Sequence, residues 1–165
     1  MKNRIARTTE IILTITSIAQ IILAFFFYNY LNNSHLCNIG WVFLWVSALF
    51  GVLPIITFKK YGGVSAEKSY IHTTCLVDKG IYSIVRHPQY LAGLLISIGL
   101  ILITQHWSSL LLGCINIYIY FFSAIDEERL LLEKFGEQYQ IYTDRVPRFN
   151  FLIGIIRHIS RINKT

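Results

Sequence analysis

Charge is scarce in this 165-residue chain, and its scarcity is localised. Asp, Glu, Lys and Arg together make up 15% of residues, against ~25% in soluble domains. None of the four occurs from Ile11 to Phe58, or from His87 to Ile125. Each of these runs is roughly twice the ~20 apolar residues that one membrane-spanning helix requires, which excludes an ordinary soluble domain. Cysteine is nearly as scarce. Cys37, Cys75 and Cys114 stand far apart without a C-x-x-C pair, so neither a disulfide framework nor a zinc site is supported. No internal repeat or low-complexity segment is present.

What the chain has in abundance is hydrophobic residues, 54% of the total. The first charge-free run is interrupted at "NYLNNSHLCN" (29–38) and the second at "TQHWSS" (104–109), both polar and turn-like. Four spans are therefore expected, at about 10–30, 39–58, 88–105 and 107–125, the last two joined in a tight hairpin. Basic residues then set the orientation. Lys2, Arg4 and Arg7 precede the first span, five more lie between the second and third, and seven follow the fourth. The two remaining turns carry no Lys or Arg, which predicts both termini in the cytoplasm. The formal charge of +6 then favours contact with anionic lipid rather than nucleic acid, because the basic residues hug the ends of apolar spans. The first span lacks a small-x-small cleavage site and is expected to stay uncleaved. The expected fold is an all-α integral membrane protein with four transmembrane helices. Residues 1–58 form a two-span anchor and 59–165 a core.

Texture along the chain refines this picture. Pro54 is a potential kink in the second span. "KKYGGVSAEKSY" (59–70) reads as a basic connector, and "CLVDKGIYSIV" (75–85) as an ordered, largely non-helical strap. Beyond the fourth span, Leu131, Phe135, Tyr139 and Tyr142 recur at helical spacing. The fourth helix should therefore run on out of the membrane and present this stripe, read as packing, to the strap. "FNFLIGIIRHISRI" (149–162) is too short to span. Its basic and apolar sides suit a helix lying in the interface.

All polar chemistry should then fall at the inner membrane surface. Pro88 fits the first turn of the third span, where its missing N–H costs little. The free amides that follow it suit an anion such as a carboxylate. Arg86 and His87 stand just before, with Tyr82 and Tyr90 on either side, and Asp126, Glu127 and Glu128 end the fourth span. The short hairpin brings both sets to one place. Helix-end donors, imidazole, guanidinium, tyrosine faces and carboxylates match the needs of a zwitterionic sulfonium cofactor, and methyl transfer from it needs no metal. Each group also has a structural reading: "RHP" as a topological stop, and the acidic triplet as a surface set neutralised by Arg129 or by the basic strap.

"LVDKGIYSIVRHPQYLAG", followed by "DEERLLLEKFGEQYQIYTDRVPRF", resembles the isoprenylcysteine carboxyl methyltransferase family, related to membrane phospholipid methyltransferases. The resemblance covers residues 75–149. It implies S-adenosyl-L-methionine as cofactor, contacted by Leu76, Val77, Tyr82, Arg86, His87, Pro88, Gln89 and Tyr90. It implies Glu127 and Glu128 at the junction of cofactor and acceptor, and Arg145 and Arg148 in the tail that closes the site, with Arg148 steering the acceptor carboxylate. The acceptor so implied is lipophilic or prenylated. Two departures stand out: Thr74 replaces a histidine common in the family, and Ala92 replaces a glycine. Two other readings stay open at this point, an NADPH-dependent lipid reductase with a related hairpin and a non-catalytic membrane scaffold.

Overall fold

The computed structural model describes residues 2–61 and 76–163. Among these are six α-helices and no strand: α1 (Lys2–Phe26), α2 (Ser34–Tyr61), α3 (Pro88–Thr104), α4 (Trp107–Phe135), α5 (Glu137–Arg145) and α6 (Phe151–Ile162), with one 3₁₀ turn at Gly80–Ser83. Three helices are long and apolar enough to cross a membrane, α1 from Thr8, α2 and α4; α3 is a shorter apolar helix. The extension of the fourth helix past its apolar stretch is as expected. Two boundaries move. α2 begins at Ser34 because Asn33 Oδ1 accepts the Leu36 N–H at 3.1 Å, a side-chain cap on its first turn. α1 stops at Phe26, and the link that follows places Asn29 and Asn32 at φ of 51° and 55°, conformations asparagine tolerates better than most residues. Pro54 is accommodated, buried, inside α2. Lys68, His72, Thr74 and Cys75 lie outside the described residues.

Packing divides the chain into two compact units, residues 1–48 with 90–123 and residues 49–89 with 124–165. These units interleave along the chain, whereas the division at 58/59 follows chain order.

The first unit holds a tight α3–α4 hairpin linked by Gln105 and His106 alone. Gln105 adopts φ 54°, and its Nε2 donates to Asn29 Oδ1 at 2.9 Å and the Asn33 carbonyl at 2.8 Å. The His106 ring stacks on Phe27 at 3.9 Å. Along the hairpin, the Tyr120 ring fills the space a side chain on Gly93 would need. α2 and α3 cross at Gly40 and Gly99, where a Cβ on either would come within 3 Å of the other's carbonyl. Inside this apolar unit lies a connected polar network. Gln20 Nε2 donates to the Ser97 carbonyl at 3.1 Å and the Ser109 carbonyl at 3.3 Å, and Gln20 Oε1 accepts from Asn116 Nδ2 at 3.0 Å. Thr16 donates to Asn116 Oδ1. An unsatisfied polar group would cost several kcal/mol in hydrocarbon, so the network fixes how α1 seats on α3 and α4.

The second unit is built around the strap. Gly80 takes φ 60°, a conformation that disfavours side chains, and Thr57 of α2 occupies the space beside it. Tyr142 Oη of α5 donates to the Tyr82 carbonyl at 2.7 Å, and Arg161 Nη2 of α6 donates to the Ser83 carbonyl at 2.9 Å. Below lies a core of Tyr139, Tyr142 and Val146, with Leu76, Leu131 and Phe135 packed against it. The aromatic stripe thus meets the strap as expected, but the helix carrying it breaks at Gly136, φ 54°, so Tyr139 and Tyr142 belong to α5. α6 touches the strap backbone directly: a Cβ on Gly154 would lie 1.9 Å from the Ile84 carbonyl oxygen.

Gly154→Ala therefore forces α6 off the strap and is expected to cost ~1–3 kcal/mol, the usual range for overpacking. Gly51→Ala, with nothing within 4 Å, should be neutral or stabilise α2 by up to ~1 kcal/mol. Thermal unfolding of the two variants in detergent checks this opposition in sign.

Candidate active site

Glu128, on the charged extension of α4, is the hub of the second unit's polar chemistry. Its side chain is 13% exposed. Arg148 closes on it as a fork, Nε to Oε1 at 2.8 Å and Nη2 to Oε2 at 2.6 Å. His87 Nε2 stands 3.1 Å from the same Oε1, and Arg86 Nη1 is 3.5 Å from it. The bidentate geometry of the Arg148 pair is the strong form of the interaction. It also carries the Arg148 guanidinium above its ordinary pKa, its hydrogen bonding to Glu128 outweighing burial.

Backbone contacts explain how residues so distant in sequence converge. The Arg86 N–H donates to the Pro147 carbonyl at 3.0 Å and the His87 N–H to the Arg148 carbonyl at 3.3 Å. The strap's end and the tail after α5 therefore run side by side, and their side chains reach Glu128 together. α3 begins at Pro88, immediately after, the position where proline's missing N–H and fixed φ are best tolerated.

The acidic triplet separates into three roles because successive helical residues point about 100° apart. Asp126 pairs outward with Arg129 at 3.2 Å, both side chains 72% exposed. Glu127 Oε2 lies 3.8 Å from His87 Nδ1, so the buried imidazole stands between two carboxylates. Glu128 points inward to the arginines. The tyrosines of this unit, Tyr82, Tyr139 and Tyr142, have phenol pKa values raised above their ordinary range, chiefly by burial. For Tyr82 the Glu127 charge adds to the effect.

The other expected site residues make contacts of their own. Leu76 and Val77 line an open cavity of ≈ 150 Å³ with Tyr61, Asp78 and Lys79. Tyr82 packs edge-on to Phe58 at 5.1 Å between ring centres. Gln89 is exposed in the first turn of α3. Tyr90 packs against Tyr120 at 6.3 Å in the first unit, so its assignment stands on the resemblance alone. Arg145 is exposed and donates to the Ile141 carbonyl of its own helix. Two donors are left over: among the described residues, Arg86 Nε and Tyr139 Oη are buried without a hydrogen-bond partner. Tyr139, read from the sequence as part of a packing stripe, does pack in the core with Tyr142 and Val146; its buried hydroxyl gave no separate signal. No group of three or more His, Cys, Asp or Glu among the described residues is arranged to hold a metal.

The end of the strap and the arginine-bearing tail thus meet on one glutamate of the second unit. The phospholipid methyltransferase family profile matches residues 36–138, more than half of the chain, and the chain belongs to that family. Among proteins of known name it is similar to protein-S-isoprenylcysteine O-methyltransferase B of Arabidopsis thaliana, 31% identical over 115 residues covering 62% of this chain and 58% of that protein. It is also similar to the protein-S-isoprenylcysteine O-methyltransferases of Schizosaccharomyces pombe, 34% identical over 51% of this chain and 39% of that protein, and Mus musculus, 34% over 51% and 29%. The match thus spans between under a third and somewhat over half of each relative's length. No solved structure matches the chain.

Glu128→Gln leaves two guanidinium groups sharing a neutral partner and should destabilise the protein by ~1–3 kcal/mol, since Arg148 keeps 32% of its side chain exposed. Asp126→Asn removes only an exposed pair and should stay within ~0.5 kcal/mol. Thermal unfolding in one detergent compares them.

Proposed function

We propose that this protein is an S-adenosylmethionine-dependent methyltransferase of the membrane, working at the cytoplasmic surface on a lipophilic or prenylcysteine-type carboxylate. The observation that carries the reading is the approach of His87, at the start of α3, to Glu128 of α4 at 3.1 Å. It joins the two polar ends that the resemblance assigns to cofactor and acceptor. In this reading α1 to α4 form four spans with both termini in the cytoplasm. Loops without basic residues face the opposite side.

The residues present suit the cofactor's chemistry. Leu76 and Val77 offer apolar surface and Asp78 a carboxylate at the cavity they line, and the two buried unpaired donors suit a carboxylate. Leu76, Val77, Tyr82, Arg86, His87, Pro88 and Gln89 are the residues proposed to hold the cofactor, which when bound supplies a methyl group activated by a sulfonium. The chain's own contribution is positional and electrostatic. The Arg148 fork holds Glu128 in one orientation. Glu128 and Glu127 flank His87 and hold its ring in place. Tyr82, its phenol kept protonated by burial, presents a neutral ring suited to a cationic centre. Once ionised, a carboxylate acceptor is itself the nucleophile. No general base is then required, only alignment and exclusion of water.

Isothermal titration of the full-length protein in detergent with S-adenosylhomocysteine should give saturable binding below millimolar concentration, retained in Asp126→Asn and lost or weakened at least about tenfold in His87→Ala. Absence of binding by folded wild-type protein contradicts the reading. Orientation is checked separately in membrane vesicles. A cysteine placed at Asn3 or Asn163 should react with an impermeant maleimide only from the cytoplasmic side.

A further inference from the structure

Arg86 is poorly satisfied for a buried guanidinium. Its side chain is 12% exposed, and its contact with Glu128 Oε1 is 3.5 Å long. That oxygen already receives Arg148 Nε at 2.8 Å and lies 3.1 Å from His87 Nε2. Arg86 Nε is buried with no partner among the described residues. The Tyr139 hydroxyl is in the same position, buried and unpartnered, on a residue only 2% exposed. Tyr139 packs in one core with Val146, which is followed directly by Pro147, whose carbonyl accepts the Arg86 N–H at 3.0 Å, so both residues belong to the same part of the second unit. Two donors, one of them cationic, are thus left over in the same part of the second unit as a carboxylate whose Oε1 already has two closer partners. Buried donors left unpaired are costly. Packing alone would be served as well by phenylalanine.

We propose that Arg86 Nε and Tyr139 Oη form a carboxylate-binding subsite, completed by a ligand carboxylate that accepts from both. The proposal rests on the methyltransferase reading. It adds Tyr139, a residue the resemblance does not assign, and moves carboxylate recognition from Arg148, whose fork is closed on Glu128, to Arg86. The carboxylate has two possible sources, the amino-acid end of the methyl donor or the acceptor.

The test pairs Tyr139→Phe with wild-type protein, both full length in detergent. On the donor arm, affinity for S-adenosylhomocysteine is compared with that for its decarboxylated analogue. On the acceptor arm, an N-acetyl-S-prenylcysteine is compared with its methyl ester. Wild-type protein should favour the free acid about tenfold or more on one arm, and Tyr139→Phe should reduce that preference to under about threefold. The arm that responds identifies the source. Tyr139→Phe should also unfold at an unchanged or higher temperature, since it removes an unpaired hydroxyl; a hydroxyl with a structural partner would lower it. Arg86→Lys, which loses the Nε–H but keeps the charge, should reproduce the loss of preference. A preference unaffected by Tyr139→Phe overturns the proposal. Intact binding with no acid preference on either arm overturns the subsite and leaves the methyltransferase reading standing. No donor binding by the wild type sinks both.

Discussion

One carboxylate organises the functional half of this protein. Glu128 is largely buried, yet accepts from a bidentate arginine and lies within reach of a histidine and a second arginine. Its partners come from two separate segments, the strap's end at 86–87 and the tail at 148. A buried ion pair adds little net stability compared with apolar packing, but loss of one partner strands the rest. The cluster therefore acts as a constraint on geometry: the strap's end, the charged extension of α4 and the tail hold together only in an arrangement that satisfies it.

The rest of the second unit makes that arrangement rigid. The strap has almost no regular structure of its own, so its backbone groups need outside partners. Tyr142 reaches the Tyr82 carbonyl from α5, Arg161 the Ser83 carbonyl from α6, and the Pro147 and Arg148 carbonyls accept the Arg86 and His87 N–H groups. Gly154 lets α6 approach within backbone contact of Ile84, and Gly80 lets the strap seat on Thr57. A loop fixed in this way can present side chains as exactingly as a helix, a requirement for catalysis by alignment.

Much of this was legible in the sequence because hydrophobicity and charge are read along the chain. The charge-free runs located α1 to α4, the polar pair Gln105–His106 marked the hairpin link, and Gly80 among β-branched residues marked a non-helical strap. Periodicity correctly grouped Leu131, Phe135, Tyr139 and Tyr142. It did not foresee the break at Gly136, because glycine is tolerated in a helix and only the left-handed φ reveals the turn. The roles within Asp126–Glu128 depend on the rotational phase of α4, which a triplet of like residues conceals. The Arg148–Glu128 fork spans 20 positions across that break, beyond the reach of local pattern. Gln20 and Asn116 did leave a signal, as isolated amides inside apolar spans, where polar side chains are costly unless paired.

Whether Glu128 is truly the joint can be measured through its coupling to the tail. A double-mutant cycle between Glu128→Gln and Arg148→Gln, read by unfolding in detergent, isolates their interaction from the burial each side chain contributes. A coupling of about 1.5 kcal/mol or more, with the double variant much less damaged than the sum of the single ones, is the expected result. Additive losses, with coupling below about 0.5 kcal/mol, would show that the tail and α4 are held together by something other than this ion pair.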